Sequence, residues 1–397
     1  MLRVAYLVSH PIQYQAPLLR RLAAEPDIGL KVFFSANTAG GSYDPGFGGP
    51  VKWDVPLLEG YDHQFLPALG GGSITTFRPL NWGINRRLRA GAFDALWVHG
   101  YTRLTNIRAM IAAKRLGIRV MVRDEAHGAN AGKGGARGLA SRAFYAFLRR
   151  VADAFLAIGT LNRNYYRSLG IPEERIFSVP YAVDNAFFRQ RSAQASCSRE
   201  NLRRALGLDP ARPVILFSGK LVSRKEPLLL LDAYRRLSRD GRSEPEPYLL
   251  FAGDGELRPT IERAAAELGW KSIRVLGFKN QTALPACYDL CDLFVLPSSY
   301  EPWGLVVNEV MNAGKAVVVS DRVGCWPDLV KPGMNGAVFP SGDAQALSAA
   351  MSALLSSREN LARMGEASRS IIDKWSFDED LAGIRAALAY LTVKKHE

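Results

Sequence analysis

Two glutamates, Glu301 and Glu309, are separated by seven residues and follow a short apolar run in the second half of the chain. A helix is expected to begin near Trp303 and Gly304, so that the free N–H groups of Gly304 and Leu305 can face an anion. Two carboxylates beside such a site would repel phosphate, but carboxylates accept hydrogen bonds well from vicinal hydroxyls. The pattern therefore predicts that Glu309 binds a ribose and that Glu301 binds a transferred hexose.

Three cations follow an earlier apolar run, Val214–Ser218. Gly219 stands at its end, where the lack of a side chain lets a ligand approach the backbone. Lys220, Arg224 and Lys225 then precede an amphipathic segment whose helical N-terminus would add partial positive charge. A diphosphate fits this environment, and a solvated basic turn is the alternative. A third turn, Gly253-Asp254-Gly255-Glu256, follows the next apolar run, but such turns are common in α/β proteins.

These residues need strands to position them, and short apolar runs alternate with helical stretches along the whole chain. Runs of four to six residues without polar interruption are typical of strands buried on both faces, as in a parallel sheet. The repeated β-α-β-α order predicts an α/β fold with two doubly wound, Rossmann-like domains. The predicted strands are Arg3–Val8, Leu30–Phe34, Ala95–His99, Val120–Arg123, Ala154–Ile158, Ile176–Val179, Val214–Ser218, Tyr248–Ala252, Ile273–Leu276, Leu293–Leu296, Ala316–Ser320 and Gly336–Phe339.

A change of composition divides the chain. Residues 189–198 are small and polar without periodicity, which predicts a linker. We expect a first domain over residues 1–190 and a nucleotide-sugar-binding domain over residues 191–374. A last amphipathic helix within residues 375–397 is expected to pack back on the first domain.

Length and composition fit a globular enzyme. The 397 residues are 48% hydrophobic, which excludes general disorder. No stretch approaches the roughly 18 apolar residues of a membrane-spanning helix. The N-terminus is interpreted as a first strand and not as a signal peptide, so a cytoplasmic protein is expected. The four cysteines form no C-x-x-C pair and are expected to be reduced.

Positive charge is concentrated in the first half of the chain. Residues 1–190 contain 24 Lys and Arg against 13 Asp and Glu, whereas the remainder is almost balanced. This excess of positive charge favours an anionic partner such as a membrane surface, an acidic substrate or nucleic acid. No nucleic acid is expected, because no known reading module accompanies the charge. Generic solubility is the alternative explanation.

The motifs of the second half together resemble glycosyltransferase family 4, the retaining enzymes of the GT-B fold. The family's glutamate, seven residues, glutamate signature falls on Glu301 and Glu309, and its upstream basic pair falls on Lys220 and Lys225. The segment from Val179 to Asp184 resembles the stretch before the family's hinge. The resemblance implies two domains that face each other across a central cleft. It also implies these donor-binding positions: Gly219, Lys220, Lys225, Gly253, Gly255, Phe278, Ser298, Glu301, Trp303, Gly304, Leu305 and Glu309.

The first half departs from the family pattern. Where many members have a glycine-rich loop after the first strand, this chain has His10, Gln13 and Tyr14. Where a histidine is usual after a later strand, the chain has Arg123, Glu125 and His127, and Glu125 falls closest to that position by spacing. The candidate catalytic residues are Glu301, Lys225, Lys220, His127, Glu125 and Arg123.

The resulting functional prediction is a retaining hexosyltransferase that takes a UDP- or GDP-sugar as donor substrate and uses no cofactor. Metal independence is expected, because no D-x-D motif follows a strand, so that fixed cations must stabilise the leaving diphosphate. The expected acceptor is a glycan or a lipid-linked precursor in cell-surface polysaccharide or glycolipid synthesis. A nucleotide-sugar epimerase or hydrolase is the alternative. A dehydrogenase is disfavoured, because G-x-G-x-x-G is absent from the first-strand loops.

One segment suggests contact with the inner face of a membrane. Phe144, Phe147 and Leu148 have the spacing of one helical face, and Arg142 and Arg149 flank it. Arg150 and the cluster of Arg86, Arg87 and Arg89 add to the positive charge. Such a helix can rest in a headgroup layer with its apolar side down. The same stripe could instead pack against the protein's own sheet.

Overall fold

The computed structural model describes residues 1–70, 74–127, 136–239, 245–267 and 271–393. The strands of these residues are β1 (Leu2–Val8), β2 (Ile28–Phe34), β3 (Ser42–Asp44), β4 (Gly49–Val51), β5 (His63–Phe65), β6 (Ala68–Leu69), β7 (Leu80–Asn81), β8 (Ala95–His99), β9 (Arg119–Arg123), β10 (Ala154–Ala157), β11 (Ile176–Ser178), β12 (Val214–Ser218), β13 (Tyr248–Ala252), β14 (Ile273–Gly277), β15 (Leu293–Leu296), β16 (Ala316–Ser320) and β17 (Gly336–Phe339). The helices are α1 (Gln15–Ala23), α2 (Ile84–Gly91), α3 (Leu104–Arg115), α4 (Ala136–Val151), α5 (Thr160–Ser168), α6 (Asn185–Ser196), α7 (Arg199–Ala205), α8 (Pro227–Arg239), α9 (Arg258–Glu267), α10 (Leu284–Leu290), α11 (Leu305–Asn312), α12 (Trp326–Leu329), α13 (Ala344–Leu355), α14 (Arg358–Ile372) and α15 (Phe377–Val393).

The chain forms two compact units. Unit 1 comprises Met1–Ser42, Pro56–Tyr181 and Phe377–Glu397, and unit 2 comprises Tyr43–Val55 and Ala182–Ser376. Each unit is built around one large parallel sheet.

Unit 1 contains a seven-stranded sheet in the order β11–β10–β9–β8–β1–β2–β5, with parallel pairing throughout. The middles of its strands are buried, because the crossover helices of a parallel sheet cover its faces. The order of strands reverses between β1 and β8. Ligands of doubly wound sheets bind at the carboxyl ends of the strands at such a reversal.

Unit 2 contains a six-stranded parallel sheet in the order β14–β13–β12–β15–β16–β17. Its strands are also buried, which explains their unbroken apolar sequences. Here the order reverses between β12 and β15. These two strands precede the loops that carry the predicted lysines and Glu301.

The predicted α/β fold is confirmed, and so is every apolar run that was predicted as a strand, with ends that coincide or differ by at most two residues. The edge strand β5 and the small two-stranded pairs β3–β4 and β6–β7 were not predicted. They are two or three residues long and largely exposed, so their sequences carry no hydrophobic period.

The predicted linker at residues 189–198 is wrong, because α6 runs through it and α7 follows directly. Asp184 begins the helix as its N-cap and accepts a hydrogen bond from the backbone N–H of Phe187. Small polar residues on a helix lack the periodic spacing of apolar residues by which most helices are recognised in a sequence. Composition alone was therefore a misleading signal.

The last helix, α15, belongs to unit 1 and approaches its sheet closely. A Cβ atom at Gly383 would lie 1.9 Å from the carbonyl oxygen of Ser178, so only glycine permits this approach. The rings of Phe177 and Tyr390 lie nearby, with centroids 5.4 Å apart.

The apolar face of α4 packs against its own unit, which was the alternative to membrane contact. Leu148 is buried in the core of unit 1, and Phe144 and Phe147 pack against the same core. The stripe therefore anchors the helix to its own unit. None of the described helices combines the length and the apolar character needed to span a membrane.

Candidate functional site

The loops after β12 and β15 lie side by side in unit 2, because these two strands pair in parallel. The first loop carries Lys220, Arg224 and Lys225, and the second carries Glu301. Their backbones are joined directly, since the N–H of Ser299 donates to the carbonyl oxygen of Arg224 over 3.0 Å. Two motifs far apart in sequence thus meet where a doubly wound sheet binds its ligand.

Glu301 is held between two cations. The Lys225 ammonium forms an ion pair with its Oε2, and Nη1 of Arg224 lies 3.4 Å from the same oxygen. Lys225 and Glu301 are both largely buried, which strengthens their attraction relative to an exposed pair. Lys220 points to a different partner, Asp44, and both carboxylate oxygens of Asp44 lie 2.9 Å from its Nζ.

The N-terminus of α11 forms the next part of the site. Gly304 precedes the helix with φ of 96°, a left-handed conformation that favours glycine. A Cβ atom there would lie 3.0 Å from Cγ1 of Val323. Leu305 opens the helix, so that its N-terminal N–H groups, with their positive dipole, lie next to the loop that carries Glu301.

Two predicted donor positions are buried supports. The indole Nε1 of Trp303 donates to Oδ1 of Asn308 over 2.9 Å, and its ring packs 5.2 Å from that of Trp375. Ser298 is fully buried, and its carbonyl oxygen accepts from the hydroxyl of Ser320. Trp303 thus supports the loop after β15 through its side chain, and Ser298 does so through its backbone carbonyl oxygen.

Gly253 and Gly255 allow the loops after β12 and β13 to touch. A Cβ atom at Gly253 would lie 1.8 Å from the carbonyl oxygen of Gly219. At Gly255, where φ is 149°, it would lie 2.6 Å from the carbonyl oxygen of Leu221. The weak glycine motif therefore has a packing role next to the predicted lysines.

Glu309 lies in α11, where it is buried. Its Oε2 accepts a hydrogen bond from the hydroxyl of Tyr288. Burial raises the pKa of Glu309 to about 7, and the bond from Tyr288 only partly opposes this. Below that pH the carboxyl is neutral and can itself donate a hydrogen bond.

This pKa predicts a pH effect on stability. Between pH 4.5, the ordinary value, and about 7, folded Glu309 holds a proton that the unfolded chain releases. The free energy of unfolding should therefore fall as pH rises through this window, by at most about 3 kcal/mol from this group. The variant Glu309→Gln should lose that slope. Urea unfolding of both proteins at pH 5 and 7.5 measures it.

The comparison isolates Glu309 because the other shifted groups are common to both proteins. Burial lowers the pKa of His10 to about 4 and raises that of Asp124 to about 6, and these contributions cancel in the difference. Equal pH slopes in wild type and variant would contradict the assignment.

Within the described ranges, no group of three or more His, Cys, Asp or Glu side chains could hold a metal ion. The cysteines are unpaired; Cys287, Cys291 and Cys325 are buried, and Cys197 is exposed. Metal independence stays a prediction that needs a direct test.

A second polar cluster lies at the carboxyl end of the unit 1 sheet. His99 ends β8, and its Nε2 lies 3.2 Å from the hydroxyl of Tyr181, which donates to Oε1 of Glu125. The amide of Gln15 lies 3.3 Å from the His99 ring and is fixed by the Tyr6 hydroxyl at 2.9 Å. We call these five residues the unit 1 cluster.

The unit 1 cluster places a neutral base beside a carboxylate. Burial lowers the pKa of His99, although Glu125 opposes the effect, so that the imidazole is neutral near pH 7. For Glu125, burial acts to raise the pKa, but His99, the Tyr181 hydroxyl and Arg123 together hold it below its ordinary value. Such an arrangement can accept or orient a substrate proton.

The other candidates of the first half have different surroundings. Arg123 is buried and donates to Asp380 and to the carbonyl oxygens of Val179 and Pro180, at 2.9–3.0 Å. His10 lies against the hydroxyl of Ser9, with 2.8 Å between Oγ and Nδ1. Gln13 is buried, and Tyr14 and His127 are half-buried. The structure thus brings Glu125 into a polar cluster and gives Arg123 interior partners.

Six residues at these sites were missed by the motif reasoning: Tyr6, Gln15, His99, Tyr181, Tyr288 and Asp44. The sequence does contain a signal for His99, because it is the polar end of a buried strand, and strand ends are where ligands bind. Tyr181, Tyr288 and Asp44 lack any local signal, since each acts through a partner far away in the chain.

Two family matches cover consecutive parts of this chain. Residues 12–182 match the glycosyl transferase 4-like domain, and residues 198–371 match the glycosyl transferases group 1. The fold and the site define a GT-B protein made of two Rossmann-like domains. The chain belongs to the group 1 glycosyltransferases, which confirms the family resemblance.

Two curated relatives match parts of the chain. Alpha-D-kanosaminyltransferase of Streptomyces kanamyceticus is 29% identical over 220 residues, which are 55% of this chain and 55% of that protein. D-inositol 3-phosphate glycosyltransferase of Segniliparus rotundus is 30% identical over 249 residues, 60% of this chain and 52% of that protein. The chain thus spans about half the length of these curated relatives.

Solved structures show the same fold over the whole chain. HepE of Anabaena, in complex with UDP and glucose, superimposes with a TM-score of 0.72 and covers 98% of this chain and 100% of its own. The two sequences are 16% identical, so this likeness establishes the fold alone.

Proposed function

We propose that this protein transfers a hexose from a UDP- or GDP-sugar to a glycan or lipid-linked acceptor, with retention of configuration and without a metal ion. The observation that carries the proposal is the meeting of the β12 and β15 loops. They bring Lys225, Glu301 and the N-terminus of α11 together where the strand order of unit 2 reverses. The names of both curated relatives describe sugar transfer and support the reaction class.

The chemistry follows from the charges at this site. The bond between sugar C1 and the β-phosphate oxygen breaks, a bond from C1 to an acceptor hydroxyl oxygen forms, and the proton of that hydroxyl passes to the departing diphosphate. Negative charge grows on the departing diphosphate, and Lys220, Lys225 and the α11 N-terminus stabilise it. Preorganised cations do this without the cost of reorganising water.

The two glutamates have separate roles in the proposal. Glu301, fixed by Lys225, orients the hexose hydroxyls, and Glu309 in α11 binds the ribose. Phe278 and the glycines Gly219, Gly253 and Gly255 shape the surroundings of the nucleotide. In unit 1, Glu125 and His127 act on the acceptor. Arg123 holds the first turn of α15 in place through its ion pair with Asp380.

A nucleotide panel tests the proposal directly. UDP-, GDP- and ADP-sugars are added to the protein, and the rise in Tm identifies the donor, because a ligand that binds only the folded state stabilises it. The identified donor is then incubated with acceptors in excess EDTA, and the anomer of the product is determined by NMR. Retained configuration with full activity is expected. Turnover of donor without any acceptor would favour the epimerase or hydrolase, and loss of activity restored by Mg²⁺ would refute metal independence.

An exposed apolar hairpin supports an acceptor at an anionic membrane surface. In β6, β7 and the residues beside them, Leu69, Phe77, Leu80 and Trp82 expose 69%, 68%, 49% and 47% of their surface. The sequence from 63 to 93 contains four arginines and no acidic residue. Exposed aromatic side chains beside arginines fit the headgroup layer of an anionic bilayer. This hairpin, and not α4, is the proposed contact.

We therefore expect the protein to float with vesicles that contain phosphatidylserine and to be lost from them at high salt. Each arginine near such a surface contributes about 1 kcal/mol. The variant Phe77→Ser/Trp82→Ser should reduce recovery several-fold. Met334→Ser removes an equally exposed apolar side chain from unit 2 and serves as control. Equal recovery on neutral vesicles, or none on either kind, would favour a protein partner or a water-soluble acceptor.

A further inference from the structure

One stretch of chain belongs to unit 2 although both of its neighbours belong to unit 1. This stretch, Tyr43–Val55, which we call the docking segment, contains β4 and the end of β3. Its contacts reach three of the proposed donor positions: Lys220, Gly255 and Phe278. The family matches and the sequence motifs assign it no role.

The docking segment encloses the Lys220 side chain. Asp44 presents both carboxylate oxygens to Nζ of Lys220 at 2.9 Å, and Nζ lies 5.1 Å from the centroid of the Phe47 ring. A Cβ atom at Gly46 would lie 2.5 Å from Cδ of Lys220, so the backbone of the segment also lies against the lysine stem. The carbonyl oxygen of Gly46 in turn lies 2.9 Å from a Cβ atom placed on Gly255.

A second set of contacts anchors the segment to the loop after β14. The ring of Phe278 packs against those of Phe47 and Trp53, with centroid distances of 4.9 and 6.3 Å. Polar contacts extend this anchor. Asn280 donates to the carbonyl oxygen of Lys52 over 2.7 Å, and the backbone N–H of Thr282 donates to Asp54 over 3.2 Å.

A carboxylate and a diphosphate compete for the ammonium group of Lys220. Both accept hydrogen bonds from its ammonium group, and their negative charges repel each other at contact distance. A group that is tethered beside its partner competes at a high effective concentration. The anchor at Phe278 provides such a tether for Asp44.

We propose that the docking segment is a built-in competitor of the donor, in which Asp44 occupies the ammonium of Lys220 and must leave before the diphosphate can bind it. This inference rests on the proposed function, since it assumes that Lys220 binds the diphosphate. The segment thereby lowers the affinity for nucleotides and makes the site selective for ligands with enough phosphate charge to displace Asp44.

The variant Asp44→Asn tests the competition with little change of shape. Lys220 and Asp44 retain 34% and 28% of their side-chain exposure, so their pair has the modest strength of a partly exposed ion pair. The dissociation constant of UDP, or of whichever of UDP, GDP and ADP binds wild type most tightly, is measured by calorimetry. We expect binding to tighten about two- to five-fold in the variant.

Two further variants test whether the effect on nucleotide binding is specific to the Asp44–Lys220 pair. In the Lys220→Gln background the Asp44→Asn change should have no effect on the dissociation constant, because the competition acts through Lys220. Asp62→Asn removes the acid of an exposed ion pair with Lys31 in unit 1 and should leave nucleotide binding unchanged.

Each outcome has a definite meaning. Unchanged or weaker nucleotide binding in Asp44→Asn overturns the competition, as does equal tightening in the Lys220→Gln background. If no nucleoside diphosphate binds wild type or Asp44→Asn, the proposed function itself fails first. Tightening that depends on Lys220 supports both.

Discussion

Replacing Lys225 by alanine should lower kcat of sugar transfer by about 30- to 1000-fold, which corresponds to about 2–4 kcal/mol of lost transition-state stabilisation. Lys225 is largely buried beside the α11 N-terminus, where a charge contact to the leaving diphosphate would be weakly screened. Release of nucleoside diphosphate, measured with saturating donor and acceptor, gives kcat. The same reasoning predicts a large loss for Lys220→Ala.

The ion pair with Glu301 requires a control, because Lys225→Ala also removes a cation from that carboxylate, which keeps Nη1 of Arg224 at 3.4 Å. The double variant Lys225→Ala/Glu301→Gln removes the charge that has lost its ion pair with Lys225, and it should recover Tm without recovering kcat. Lys374→Ala, an exposed lysine of unit 2, should change neither quantity. If kcat returned together with Tm in the double variant, Lys225 would be a structural residue only.

The position of the loops that are proposed to bind the donor was largely predictable, because their signals are local. Buried strands such as Val214–Ser218 and Leu293–Leu296 are unbroken apolar runs, and their ends are marked by Gly219 and by a polar loop. The motif around Glu301 lies directly after a strand in the sequence. What the sequence does not contain is the neighbour relation between β12 and β15, which only the parallel pairing establishes.

The unit 1 cluster was predictable only in part, because it assembles side chains from five places in the chain, of which β1 contributes Tyr6. Glu125 follows β9 and His99 ends β8, and these strands are neighbours. Tyr181 follows β11, and Gln15 opens α1. No local pattern specifies which strand ends meet. The contact of Asp44 is even harder to predict from the sequence, since 176 positions separate it from Lys220.

Arg123 lies at the end of a strand, as the sequence predicts, but its observed contacts are with the interior of unit 1. It ends a buried strand, as expected of a residue that faces a ligand, yet it is only 2% exposed and pairs with Asp380, which is 1% exposed. The pair joins β9 to the first turn of α15. Within the described residues, Nε of Arg123 and Oδ2 of Asp380 have no hydrogen-bond partner, which adds to the cost of burying both charges.

We expect Asp380→Ala to destabilise unit 1 by about 3–5 kcal/mol, because it leaves the Arg123 guanidinium buried without a counter-charge. Urea unfolding followed by circular dichroism measures the loss. Asp378→Ala, one half-turn earlier in α15, removes an exposed partner of Arg21 and should cost at most about 1 kcal/mol. Equal effects of the two substitutions would contradict the buried pair.

A double replacement then separates structure from catalysis at Arg123. Arg123→Met/Asp380→Leu exchanges the pair for apolar side chains of similar volume, a change that is often neutral or stabilising when both charges are removed together. Stability should return to near the wild-type value. If Arg123 only positions α15, kcat of the refolded double variant should also return. If Arg123 touches the substrate, the double variant should be stable and inactive, because the charge that catalysis needs is gone.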